Sequence, residues 1–162
     1  MNIDQQIVKI IEDVGVDIVC SVPCNLLDSV LQLLDGSPVR HVPVTREEEG
    51  LGILAGAALA GKRPLLLMQN SGLGNCVNAL ASLTGLYKAP LFLLMSHRGG
   101  VSERIVAQKP MGTAAPAVLD ALGIPRTDIA KAADLEQLET SMRSAYTDSS
   151  VRAAFLQPEL WS

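Results

Sequence analysis

Aromatic side chains are scarce in this 162-residue chain. Two Phe, two Tyr and one Trp make up 3% of it, while 48% is hydrophobic. The core must therefore be aliphatic, with Ala and Gly letting helices lie close on a sheet. Cysteine is scarce as well. Cys20, Cys24 and Cys76 show no C-x-x-C spacing and have no paired His nearby. That argues against both a disulfide framework and a zinc site, so no metal is expected on this chain, and it fits a reducing cytoplasm. There is no basic run, and the net charge is −4, so neither nucleic acid nor an anionic membrane is an expected partner. The longest uncharged apolar stretch is Gly/Ala-rich, too short and too small-sided to span a bilayer. Met1 to Ile11 carries Asp4 and Gln5-Gln6 in place of the basic-then-apolar order of a signal peptide. The length suits one domain, residues 1–162.

What the chain does have is alternation. Asp4 to Val14 carries Ile7, Ile10, Ile11 and Val14 at helical spacing and stops at Gly15. A strand-like run from Ile18 to Val22 leads into Pro23-Cys24-Asn25, where Asn25 is placed to cap a helix ending at Asp35-Gly36. Val39 to Val42, Leu65 to Met68, Leu91 to Met95, Arg126 to Ile129 and Val151 to Leu156 read as further strands. Helical patterns cover 74–86, 114–122 and 135–146, and the polar, Gly-containing stretch from Ser96 to Thr113 reads as a long loop. Strands alternating with helices predict an α/β domain: a parallel sheet of about six strands with helices on both faces.

The chain is organised around Pro43 to Asn75. Glu47, Glu48 and Glu49 open a segment that is otherwise apolar or small as far as Gly61. Thr45 is spaced from Glu48 as in a capping box, and three acids suit the positive end of a helix. A helix apolar all round predicts burial all round. Successive helical residues point about 100° apart, so the three carboxylates face different surroundings. Glu48 alone lies in line with Gly52, Ala55 and Leu59. On sequence physics alone, three Glu at a helix start are more usually a solvated, dipole-favoured first turn. Beyond the next strand, Gln69 to Asn75 is polar and Gly-rich, at the carboxyl edge where open α/β sheets hold ligands.

Four segments in order, VPCNLL (22–27), REEEG (46–50), MQNSGLGN (68–75) and SHRGG (96–100), resemble the pyrimidine-binding domain of the thiamine diphosphate-dependent 2-oxo-acid decarboxylases. The resemblance runs over essentially the whole chain. It implies that Glu48 is the catalytic carboxylate, contacting N1′ of the cofactor's aminopyrimidine and promoting its imino tautomer. Asn70, Ser71, Gly72 and Asn75 would join Glu48 around the cofactor. Pro23, Cys24, Asn25, His97, Arg98 and Lys109 would contact the substrate. The implied substrate is 3-sulfopyruvate, on an archaeal route to coenzyme M, with phosphonopyruvate as the alternative. A non-catalytic module of the same fold is a second alternative. The family's diphosphate and Mg²⁺ motif begins Gly-Asp-Gly, whereas the nearest string here is Leu34-Asp35-Gly36-Ser37. The resemblance thus implies a beta subunit that carries the metal half, in a hetero-oligomer, with the isolated chain associating with itself.

Overall fold

The structure of the protein is a computed structural model describing residues 1–101 and 103–162. It opens with helix α1 (Ile3–Val14), strand β1 (Ile18–Ser21), helix α2 (Asp28–Asp35) and strand β2 (Arg40–Pro43). Helix α3 (Glu47–Leu59), strand β3 (Pro64–Gln69), helix α4 (Leu73–Ala79) and strand β4 (Leu91–Ser96) follow. Helix α5 (Lys109–Ala121), strand β5 (Arg126–Ile129), helix α6 (Leu135–Thr147) and strand β6 (Val151–Leu156) complete the set.

All six strands are parallel, in the order β2-β1-β3-β4-β6-β5. Strands buried on both faces read as continuous aliphatic runs, and that is how β3 and β4 read. Their side chains divide by the two-residue period. Leu65, Leu67, Phe92 and Leu94 pack beneath α1, α2 and α6, while Leu66, Met68, Leu93 and Met95 pack beneath α3, α4 and α5. The winding reverses between β1 and β3, so the loops leaving these two strands diverge and open a crevice at their carboxyl ends.

Several boundaries differ from the sequence expectation, each for a local reason. Thr45 does not cap α3. Arg46 occupies the N-cap position, and Thr45 donates from its backbone N–H (3.0 Å) and hydroxyl (2.8 Å) to Glu49. The reciprocal acid is one residue later than the motif spacing implied. Asn25 makes no side-chain cap; it opens a short 3₁₀ turn, Asn25–Leu27, ahead of α2. The 74–86 helix divides into α4 and a π-helical turn, Leu80–Gly85, in which Thr84 donates to the Leu80 carbonyl at 3.1 Å. The long loop is shorter than expected because α5 begins at Lys109 rather than Ala114. Pro110 sits in its first turn, where a missing N–H is harmless. Ser102, within that loop, lies outside the described residues.

Helix α3 is the informative departure. Leu51, Leu54, Ala55 and Ala58 are buried, whereas Gly52, Ile53, Gly56 and Leu59 face outward, Ile53 at 40% and Leu59 at 66% exposure. The apolar sequence was read as burial on every side. In the single chain only one side is covered. A Cβ added at Gly52 or Gly56 would meet nothing within 4 Å.

Candidate functional site

Two groups of side chains meet at the carboxyl edge, joined by the segment Gln69 to Asn75. The first surrounds the start of α3. Gly50 lets the helix sit down on the sheet: a Cβ there would be 3.1 Å from Cys20, Leu66 and Val44 at once. Glu47 folds back over Gly72, where an added Cβ would fall 2.4–2.6 Å from its side chain, and accepts from Asn75 Nδ2 at 2.8 Å. Glu49 is tied to Thr45, and its hydrogen bonds from the Thr45 hydroxyl and backbone hold its carboxyl below the usual range. Glu48 and Glu49 are both exposed, whereas Glu47 is half-buried. The Glu48 carboxylate is 47% exposed and, among the described residues, paired only with Arg46, at 3.0 Å. Such a surface pair contributes little to stability. The three adjacent acids therefore have three different partners, Asn75 for Glu47, Arg46 for Glu48 and Thr45 for Glu49.

The second group caps the core on the side of α1 and α2. Gln69 and Ser96 end adjacent strands in register. Cys24 Sγ lies 3.2 Å from Ser96 Oγ and 3.8 Å from Gln69 Oε1. The Gln69 amide donates to Ser71 Oγ and to Gln108 Oε1, the latter at 2.8 Å. Gln69 and Gln108 were not singled out from the sequence. Gln69 was available as the last residue before the Gly-rich turn, whereas Gln108 lay in what read as structureless loop.

Asn70 is fully buried, and its amide joins loops: Nδ2 donates to the Arg98 carbonyl at 2.9 Å and Oδ1 accepts from the Arg98 N–H at 3.0 Å. It positions the β4 exit, with no atom turned to open space. His97 is likewise engaged at both nitrogens, Nδ1 with Gln157 Oε1 (2.8 Å) and Nε2 with the Gly112 carbonyl (3.3 Å). It packs tilted on Phe155, away from Cys24. Arg98 is forked onto Glu103 at 2.6 and 2.9 Å. Pro23 and Asn25 are exposed beside half-buried Cys24. Lys109 is exposed at the start of α5, with no ion pair among the described residues. The structure thus gathers Cys24 with the Gln69–Ser71 turn, places Glu47 rather than Glu48 against Gly72 and Asn75, and holds His97 and Asn70 in supporting positions.

A parallel sheet thus carries an exposed carboxylate, Glu48, at the start of a helix with one uncovered, Gly-containing side, next to a polar strand-end crevice. Gly52 and Gly56 leave room on that side for another surface to approach closely. Residues 1–111 match the family described as "Thiamine pyrophosphate enzyme, N-terminal TPP binding domain". The chain is 50% identical over 126 residues to the sulfopyruvate decarboxylase subunit alpha of Methanococcus maripaludis, covering 77% of this chain and 75% of that one. To the subunit of the same name in Methanothermobacter thermautotrophicus it is 46% identical, covering 93% of this chain and 92% of that one. The chain belongs to this family of thiamine pyrophosphate enzymes, the sulfopyruvate decarboxylase alpha subunits. The sulfopyruvate decarboxylase of Methanosarcina acetivorans is 36% identical over 161 residues, which is 99% of this chain but 41% of that one. Among solved structures, a 2-oxoglutarate:ferredoxin oxidoreductase from Magnetococcus marinus superposes with a TM-score of 0.72 at 12% identity, over 98% of this chain and 29% of that one, and so shares the fold.

Proposed function

We propose that this chain is the alpha half of a decarboxylase that converts 3-sulfopyruvate to sulfoacetaldehyde and carbon dioxide, working in the cytoplasm on the route to coenzyme M. The observation carrying this reading is the 46% identity to a named alpha subunit over 93% of the chain. The geometry supports it independently. Glu48 is exposed at the start of α3, its described partner is the surface residue Arg46, and α3 has an uncovered side.

Bound thiamine diphosphate supplies an electron sink for the pair left when carbon dioxide departs. This chain's residues do the rest on its side of the site. Glu48 holds and exchanges a proton at a pyrimidine nitrogen, with Arg46 orienting the carboxylate from outside. A partner subunit seated on Gly52 and Gly56 excludes water from that contact, and a drier site strengthens it. Gln69, Ser71, Gly72 and Asn75 border the cofactor, and Asn70 fixes the turn between them. Cys24, Asn25 and Pro23, with Lys109 and Arg98 across the crevice, face the substrate's charged ends. The partner carries the diphosphate and its Mg²⁺. The partner-sized remainder of the Methanosarcina relative supports a second domain working with this one.

Co-expression with the partner subunit, followed by carbon dioxide release from 3-sulfopyruvate and from phosphonopyruvate, tests the reading. Turnover of the sulfonate that depends on Mg²⁺ and is lost in Glu48→Gln is the expected result. Preference for phosphonopyruvate would move the substrate assignment to the other acid. No turnover of either, with both chains folded and associated, would overturn the function.

A further inference from the structure

The segment between β4 and α5 neutralises its own best anion receptor. Arg98 donates from Nε to Glu103 Oε2 at 2.6 Å and from Nη2 to Oε1 at 2.9 Å. The two side chains are 18% and 7% exposed, so this is a shielded, two-point pair and not a surface contact. Glu103 also accepts from the backbone N–H of Ile105 (2.9 Å) and of Gly99 (3.3 Å). Hydrogen bonds from Arg98, first, and from Ile105 pull its carboxyl down to about 2. One carboxylate therefore fills the arginine fork and latches the chain on both sides of itself.

The position of the pair gives it meaning. The Arg98 backbone is held to the polar strand-end turn by the Asn70 amide, which donates to its carbonyl and accepts from its N–H. With Leu26, Gly100 and Pro158 the pair lines a cleft of about 410 Å³. A sulfonate or phosphonate presents oxygens at the spacing of a carboxylate, so it competes for the same two N–H groups. Leaving either charge unpaired in a shielded place is costly, whereas exchanging one anion for another keeps Arg98 paired throughout. Movement after the exchange is confined. Gly99 is wedged against Gly112, where an added Cβ would fall within 2.9 Å of backbone, whereas an added Cβ at Gly100 meets nothing within 4 Å among the described residues. The free hinge is therefore Gly100.

We propose that Glu103 is a built-in stand-in for the anionic head of the substrate: it fills the Arg98 fork in the free subunit, and an incoming sulfonate or phosphonate displaces it and releases the latch on Gly99 and Ile105. The biological ligand rests on the function proposed above; the exchange itself requires only an oxyanion. Glu103 then sets specificity by competition. A 2-oxo acid whose only carboxylate is engaged at the reacting end has no second anionic group left to displace it.

The test uses the full chain with methanesulfonate as probe, following the Arg98 Nε–H resonance and backbone hydrogen exchange. Wild-type protein saturated with methanesulfonate is expected to exchange faster at Gly99 and Ile105, because their acceptor has left. Glu103→Gln, which removes the competing charge, is expected to bind methanesulfonate about tenfold more tightly, and Arg98→Ala/Glu103→Gln to lose that gain. Affinity in Glu103→Gln equal to or below wild type, or binding that leaves Gly99 and Ile105 exchange unchanged, overturns the proposal. The wild-type exchange measurement stands even if the variant folds poorly. Failure here with 3-sulfopyruvate still turned over removes only the stand-in. A working exchange in a subunit pair that turns over neither acid removes only the proposed function.

Discussion

Replacing Gly52 and Gly56 together by Ala should act in opposite directions on the chain alone and on its assembly. In the single chain both positions lie inside α3, with no atom within 4 Å of an added Cβ. Nothing then offsets the gain in helix propensity, about 0.8–1.0 kcal/mol for each Gly→Ala change. The pair is worth about 2 kcal/mol, or roughly 4–8 °C in Tm for a domain of this length. If a partner subunit packs on this face, each methyl group enters a close contact, and overpacking costs about 1–3 kcal/mol per site. The pair then weakens assembly by about 2 kcal/mol or more, which is about thirtyfold in Kd. Far-UV circular dichroism on the isolated chain at low concentration gives the first number, and calorimetric titration with the partner gives the second. A fall in Tm would show that α3 is already covered in the single chain. A rise in Tm with unchanged assembly would show that the partner sits elsewhere.

Among the three acids, Glu48→Gln should remove most activity of the assembled enzyme and leave the melting curve unchanged, while Glu47→Gln and Glu49→Gln keep most activity; equal losses at all three in steady-state assays would refute the separation of roles. Cys20 and Cys76 are fully buried, with burial pushing their thiols up to about 11 and about 12, so Ellman titration should find one reactive thiol in native protein, Cys24, and three after denaturation. Glu103 has its folded pKa near 2, below an unfolded value of about 4.3. Its contribution to stability is therefore complete above about pH 5 and is lost as pH falls towards 2, and the Arg98 Nε–H resonance should hold its position down to about pH 3. Gly112→Ala should destabilise despite better helix propensity, because its Cβ would fall 2.5–2.6 Å from the Gly99 backbone; a variant as stable as wild type in urea would refute that packing.

The sheet was legible because buried parallel strands are written as unbroken aliphatic runs. Leu91 to Met95 could be little else, and Arg126 to Ile129 and Val151 to Leu156 were placed to the residue. Helical direction separates the three acids, and the structure does give them different partners, Asn75 for Glu47, Arg46 for Glu48 and Thr45 for Glu49. The exposed side of α3 was not legible. A sequence records that residues are apolar and small, and leaves open whether their cover comes from the same chain. The start of α5 was hidden because Gly112, Pro110 and Pro116 lower helix propensity where packing against Gly99 and the sheet supplies the stability. The engagement of Arg98 with Glu103 was invisible for a related cause. An Arg and a Glu five residues apart in irregular chain meet only through the particular bend at Gly99 (φ 89°).

The scarcity of aromatic residues has an optical consequence. The sole tryptophan, Trp161, donates from its indole N–H to Asp4 at 2.7 Å, so it joins the last turn of the chain to the first turn of α1. The sheet beneath holds Phe92 and Phe155, which emit weakly, and Tyr87 lies at the surface. Emission excited at the indole band therefore reports whether the two ends of the chain are clasped and says little about the sheet. Fraying of this clasp on heating would give a fluorescence midpoint below the one from amide ellipticity. The gap between the two curves measures how much looser the ends are than the six strands they close over.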